Sequence, residues 1–94
     1  MIESTEIIDL TYHTNQTGGL CVIEGGVDAP FEILRVFTVS ALKGSIRGNH
    51  AHKECSQFMV CVSGAIEVIC DDGIEETIYQ LDSPSIGLNV EPGI

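Results

Sequence analysis

The sequence has few positive charges. Four Lys and Arg residues stand against fourteen Asp and Glu residues, and the formal net charge is −10 over 94 residues. Such an acidic protein is not expected to bind nucleic acid, because the phosphate backbone attracts basic surfaces. The sequence also lacks an apolar run of about 18 residues, so it predicts no membrane-spanning helix. The first residues lack the basic and apolar parts of a secretory signal, which predicts a cytoplasmic protein.

Closely spaced cysteine pairs are also missing. The four cysteines are Cys21, Cys55, Cys61 and Cys70, and no two of them form a Cys-x-x-Cys motif. Each lies in or beside an apolar run, which favours buried, reduced thiols over a disulfide framework or a zinc site. Cys61 and Cys70 are the pair that a predicted hairpin can bring together, so a disulfide between them stays an alternative.

Helical patterns are absent too, and short apolar runs of strand length take their place. These runs are rich in Val and Ile and are separated by Gly, Asp and Ser, which predicts an all-β sandwich or barrel with one domain over residues 1–94. The tightest predicted turns are Ser63-Gly64 and Asp71-Asp72-Gly73. Because the sequence stops after Pro92-Gly93, we expect this domain to lack its last strands or to be closed by a partner chain. The predicted strands are Ile7–Tyr12, Leu20–Glu24, Ile33–Ser40, His50–His52, Gln57–Val62, Ala65–Cys70, Glu75–Leu81 and Ser85–Val90.

The positive charges are concentrated in one stretch, together with two histidines. His50 and His52 are two positions apart, so on a strand they point to the same face, about 7 Å from each other. Such a pair can bind a metal ion or act as a base and its helper. The surrounding charge favours an anionic ligand such as a phosphate or a carboxylate. Residues 33–53 contain no carboxylate and hold all four basic residues, Arg35, Lys43, Arg47 and Lys53.

The spacing around the histidines matches a known motif. Gly44, His50, His52, Gln57 and Gly64 follow one another at the intervals of the first cupin motif, with Gln57 in place of the usual glutamate. The chain thus resembles the cupins, which are double-stranded β-helices of the jelly-roll type. It is more specifically similar to the WxcM-like cupins, which include the dTDP-4-keto-6-deoxyglucose 3,4-ketoisomerases. That similarity lies in Pro30–Phe37, Arg47–Lys53, Gln57-Phe58, Asp71–Gly73, Leu81–Pro84 and Gly87-Leu88.

The resemblance implies a sugar-nucleotide ketoisomerase of surface-polysaccharide synthesis. Such an enzyme moves a ketone between C4 and C3 of a dTDP-6-deoxyhexose through an enediol, with no cofactor and no metal. A histidine whose pKa lies near neutrality suits the two proton transfers. The resemblance favours His52 as the base and His50 as its partner, but the sequence alone does not separate the two roles. The residues expected to bind the substrate are Arg47, Gln57, Arg35 and Lys53.

Gln57 argues against a metal-dependent cupin, since a neutral amide is a poor ligand for a hard dication. The third histidine, His13, lies early in a polar stretch and is expected at the surface. A metal-binding, dioxygenase-like cupin stays an alternative. So do a non-catalytic module that binds a nucleotide sugar and an inactive fragment.

The resemblance also has implications for oligomeric state and for a tyrosine that this sequence lacks. It implies a homodimer that exchanges N-terminal strands, with Ile7–Tyr12 as the exchanged segment. Members of the family commonly carry a tyrosine where this sequence has Thr38. The sequence contains only Tyr12 and Tyr79, and sequence alone assigns neither of them to the site.

Overall fold

Every regular element in the described chain is a β-strand. A computed structural model describes residues 5–46 and 56–92, which form seven strands and no helix. The predicted all-β class is therefore confirmed. The same residues include no helix that is long and apolar enough to span a membrane. The strands are β1 Thr5–Asp9, β2 Thr11–Asn15, β3 Gly18–Val22, β4 Gln57–Met59, β5 Ile66–Asp71, β6 Glu76–Leu81 and β7 Ile86–Val90.

The strands pair antiparallel in three groups. β7 is the central strand of a three-stranded sheet, with β1 on one side and β4 on the other, while β2 pairs with β3 and β5 with β6. The register places Thr5, Val90 and Gln57 opposite one another in one row across the first sheet. Directly opposite residues share a face of a sheet, so the side chains of this row point to the same side.

The core lies between the three-stranded sheet and the β5–β6 hairpin. Alternation along β6 turns Tyr79 and Leu81 inward, and β7 contributes Leu88 and Val90 from the other side. The side chains of Leu81 and Leu88 are fully buried. Burial of one leucine side chain stabilises a fold by about 1.5–3 kcal/mol, so these two leucines hold the two sheets together. Cys61 and Cys70 complete the buried cluster, and Met59, Val68 and Ile86 pack against it.

β2 and β3 form a hairpin that we call the β2–β3 arm, residues 11–22. All residues of β2 are exposed, and so are all residues of β3 except the half-buried Cys21. The predicted strand Ile7–Tyr12 is divided at Leu10, whose amide donates a hydrogen bond to the carbonyl of Ser85 at 2.8 Å. The first half of the predicted strand therefore joins the core sheet and the second half joins the arm.

The predicted strand Ile33–Ser40 is wrong. Residues 32–46 form no strand, and every one of them is exposed. The β-branched and aromatic residues of this segment suit a strand. A strand also needs a neighbour that accepts and donates its backbone hydrogen bonds. None of the seven described strands pairs with this segment, so it lacks the partner that a strand requires.

The predicted hairpin between residues 57–62 and 65–70 is also wrong. β4 ends at Met59 and pairs with β7, whereas β5 pairs with β6 across the correctly predicted turn at Asp71–Gly73. Cys61 and Cys70 are both buried and both free thiols, so they do not form the disulfide that a hairpin had suggested. Burial raises the pKa of the Cys70 thiol, which keeps it protonated and a weak nucleophile.

Candidate active site

Gln57 lies on the inner side of the fold, as a site residue requires. It is half-buried at the start of β4 and lies opposite Val90, a member of the core. The next residue, Phe58, points to the other face, where its ring covers Gly87. Gln57 therefore adds one polar amide to the end of an apolar inner face. Ligand sites commonly combine such an apolar lining with a few polar groups that orient the ligand.

A buried pair of hydroxyl groups joins this cross-strand row to the facing sheet. Thr5 Oγ1 and the Tyr79 hydroxyl are 2.6 Å apart, and the two residues are only 3% and 8% exposed. This hydrogen bond connects the two sheets, because Thr5 is on β1 and Tyr79 is on β6. Neither residue was predicted to belong to the site. The signal for Tyr79 was its alternation with Leu81, which turns both side chains to the same face.

Arg35 lies on the exposed segment 32–46, away from β4 along the chain. Its guanidinium carbon is 5.3 Å from the centroid of the Phe37 ring. This distance is within the range of about 6 Å over which a cation is attracted to an aromatic face. A cation–π contact therefore joins Arg35 to Phe37, although the segment is not a strand. Its role in substrate binding stays a prediction.

The two glycines at the ends of the histidine motif both lie in turns. Gly44 has a φ of +82° and Gly64 a φ of +79°. These values lie in the left-handed region, which glycine adopts without the steric penalty that a Cβ atom brings. At the first turn the amide of Ser45 donates a hydrogen bond to the carbonyl of Leu42 at 3.0 Å. The motif spacing therefore includes two positions that local backbone geometry reserves for glycine.

The remaining predicted site residues, Arg47, His50, His52 and Lys53, lie outside the described residues. Within residues 5–46 and 56–92, no three His, Cys, Asp or Glu side chains are grouped as a metal site requires. The histidine pair is not among those residues, so a metal-free site stays a prediction. His13 is exposed on β2, where a surface histidine was predicted.

Residues 3–94 match the family described as FdtA: WxcM-like, C-terminal. The chain belongs to the FdtA family. This FdtA-family chain is 39% identical over 90 residues to the TDP-4-oxo-6-deoxy-alpha-D-glucose-3,4-oxoisomerase of Aneurinibacillus thermoaerophilus. The match covers 95% of this chain and 65% of that relative.

Solved structures of 3,4-ketoisomerases share the fold of this FdtA-family chain. A variant of QdtA from Thermoanaerobacterium thermosaccharolyticum, in complex with TDP-4-keto-6-deoxyglucose, superposes with a TM-score of 0.90 and 32% identity, covering 98% of this chain and 67% of QdtA. The TDP-quinovose 3,4-ketoisomerase WlaRB from Campylobacter jejuni gives a TM-score of 0.89 and 32% identity, over 97% of this chain and 71% of WlaRB.

These similarities confirm the predicted WxcM-like family and its cupin-type fold. The chain spans 65% of the length of the curated relative that it matches. Whether residues 1–94 form a single domain stays a prediction.

Proposed function

We propose that this FdtA-family chain carries the site of a sugar-nucleotide 3,4-ketoisomerase that acts on a TDP-linked 4-keto-6-deoxyhexose. The observation that carries the proposal is the 39% identity to a TDP-4-oxo-6-deoxyglucose 3,4-oxoisomerase over 95% of this chain. The QdtA variant that shares the fold holds TDP-4-keto-6-deoxyglucose, which supports the same class of substrate. The inner placement of Gln57, five residues after the histidine pair, agrees with a ligand site at this end of the core.

The proposed reaction moves a ketone from C4 to C3 of the sugar. A base removes the proton from C3, and the electron pair of the C–H bond forms a C3–C4 double bond as the C4 carbonyl oxygen becomes an enediolate oxygen. A proton then returns to C4, and the proton of the C3 hydroxyl passes to the O4 oxygen as the C3 carbonyl forms, so that C4 carries the hydroxyl group. An isomerisation consumes no oxidant or reductant. His52 is proposed as the base, and His50 is proposed to polarise the oxygen or to carry the second proton.

The distribution of charge supports an anionic substrate. The chain carries a net charge of −10, yet its four cations lie between positions 35 and 53, around the histidines. We assign the diphosphate to Arg47, Lys53 and Arg35, because guanidinium and ammonium groups bind phosphate oxygens by charge-assisted hydrogen bonds. The Gln57 amide is assigned to a hydrogen bond with the sugar or with a catalytic histidine.

We also propose a cytoplasmic homodimer in which the β2–β3 arm contacts a second copy. The arm exposes Tyr12, Leu20 and Val22, although it belongs to neither of the two core sheets. Burial of these side chains against a second copy would remove their apolar surface from water. Leu20→Glu should therefore convert the dimer to a monomer in sedimentation, whereas Ile78→Glu, on the outer face of β6, should not. A wild-type monomer at micromolar concentration contradicts this assembly.

Proton exchange tests the isomerase directly. The protein is incubated with TDP-4-keto-6-deoxyglucose in D2O, and NMR follows deuterium at C3 and formation of the 3-keto sugar. We expect His52→Asn to lower the rate by about 10²–10⁴, the usual contribution of a general base. The control is Gln80→Asn, since Gln80 is exposed on β6, and its rate should stay at the wild-type level.

Two results would replace the isomerase with another function. Binding of TDP without proton exchange by the wild-type protein favours a non-catalytic module that binds a nucleotide sugar. Stoichiometric iron, manganese, nickel or zinc that survives dialysis and is needed for activity favours a metal-dependent cupin.

A further inference from the structure

We propose that Thr5 and Tyr79 are positioning residues for Gln57. Their hydroxyl groups are 2.6 Å apart and both residues are buried, so they join β1 to β6 at the row that contains Gln57. This inference rests on the proposed function, in which the Gln57 amide contacts the substrate or a catalytic histidine.

In the cross-strand row, Val90 lies between Thr5 and Gln57. Neighbouring strands are about 4.8 Å apart, so Thr5 and Gln57 are separated by about 10 Å, with Val90 between them. Val90 is buried and belongs to the same core cluster as Tyr79. A displacement of Thr5 relative to Tyr79 therefore moves the backbone of β7, and with it the strand that carries Gln57.

Gln57 depends on this support because β4 is short. β4 contains three residues, and its registered partner is β7, whereas β1 pairs with β7 over five residues. The position of Gln57 is therefore set by β7, and that of β7 by the longer pairing with β1. The hydroxyl pair fixes this longer pairing against the facing sheet.

A hydroxyl group at position 79 is not needed to fill the core. Phenylalanine has almost the same shape, and a buried hydroxyl group costs free energy unless it is hydrogen-bonded. The hydrogen bond adds a directional restraint, because it forms only within a narrow range of distances and angles. Apolar contacts have no such directional requirement. Small displacements of a group that contacts the substrate lower turnover strongly. A directional restraint that holds Gln57 in place should therefore raise the turnover rate.

The experiment removes the hydroxyl group from either end of the bond. Tyr79→Phe and Thr5→Val keep the shape of each side chain, and Thr5→Ser keeps the hydroxyl group. We expect Tyr79→Phe and Thr5→Val to lower kcat by about three- to tenfold, the equivalent of one hydrogen bond, with KM for TDP-4-keto-6-deoxyglucose within about twofold. Thr5→Ser should stay near the wild type. The double variant should be no slower than either single variant, since each removes the same bond.

A second measurement reports on Gln57 without catalysis. The side-chain amide of Gln57 gives a resonance pair in a ¹H–¹⁵N spectrum, identified by its loss in Gln57→Leu. This pair should shift in Tyr79→Phe and in Thr5→Val, while the amide of Gln16, in the turn of the β2–β3 arm, should not.

The two readouts separate the possible failures. An unchanged kcat and an unchanged Gln57 resonance in both variants would overturn the positioning role, even if their melting temperatures fall. An inactive wild-type protein would refute the proposed function, but the Gln57 resonance would still decide whether the hydroxyl pair positions this side chain.

Discussion

Residues 33–40 and strand β6 were both predicted to be strands but have different structures. β6 pairs with β5 over its whole length and buries Tyr79 and Leu81. In residues 33–40, by contrast, the side chains of Leu34 and Val36 are 85% and 81% exposed, and no described strand is paired with this segment. A run of β-favouring residues therefore shows that a segment suits a sheet, while a hydrogen-bonding neighbour decides whether it becomes a strand.

Truncation of one leucine in each region gives the largest expected contrast. Leu81 is fully buried on β6, and Leu34 is mostly exposed on the unpaired segment. Leu81→Ala should lower the free energy of unfolding by about 2–5 kcal/mol, because it removes buried methyl groups and leaves a cavity. Leu34→Ala should change it by less than about 0.5 kcal/mol. Urea unfolding of both variants measures the difference.

Similar losses in the two variants would contradict the contrast. They would mean that Leu34 is buried in solution, and the dependence of the loss on protein concentration would then show whether a second copy buries it.

Substitution of a glycine in the core sheet and of one that contacts the exposed segment gives a smaller contrast. A Cβ atom at Gly87, on β7, would overlap the ring of Phe58 on the neighbouring strand. A rigid ring in a paired sheet has little room to move, so Gly87→Ala should destabilise the fold by about 1–3 kcal/mol. At Gly25 the nearest atom to such a Cβ is Cγ1 of Ile33, at 3.3 Å, on the exposed segment. Gly25→Ala should therefore cost less than Gly87→Ala in thermal unfolding.

A double variant identifies the cause of the Gly87 effect. Phe58→Leu replaces the ring with a smaller and more flexible side chain, so it should reduce the additional cost of Gly87→Ala. An unchanged cost in that background would show that the ring is not what opposes the substitution.

The sequence predicted the local features of this fold better than the distant ones. The β5–β6 hairpin was predicted correctly because the Asp71–Gly73 turn joins two strands that follow each other directly. The Ser63-Gly64 turn gave the wrong hairpin, because β4 pairs instead with β7, whose partner residues lie 29 to 33 positions further along the chain. The free energy of strand pairing depends partly on the apolar surface that the pairing buries, and a short stretch of sequence does not show which surface that is.

The same limit applies to the candidate site. Gln57 was found because it belongs to a motif of fixed spacing, and its inner placement agrees with that motif. The hydroxyl pair of Thr5 and Tyr79 was not found, since the two residues are 74 positions apart in sequence. Their contact exists only because two separate strands, β1 and β6, contribute to one core.

The smallest expected effect concerns the Asp71–Gly73 turn, which joins β5 to β6. The Asp72 carboxylate accepts hydrogen bonds from the backbone amides of Glu75 and Ile74, at 2.7 and 2.9 Å, and these bonds lower its pKa. A lowered folded-state pKa means that the charged form favours the folded state above the ordinary pKa of about 3.9. That contribution is lost as the pH falls through the lower folded-state pKa. Because Asp72 is fully exposed, the effect on melting temperature should be small.

Asp72→Asn isolates this contribution, because asparagine keeps an acceptor oxygen but does not titrate. The melting temperature of the wild type should exceed that of Asp72→Asn at pH 7, and the difference should disappear at the acidic end of a pH series. Asp82→Asn removes one negative charge from a different, exposed position and controls for the general effect of charge. A pH-independent difference between the wild type and Asp72→Asn would assign the effect to side-chain geometry. The turn would then be stabilised by the shape of the Asp72 side chain and not by its charge.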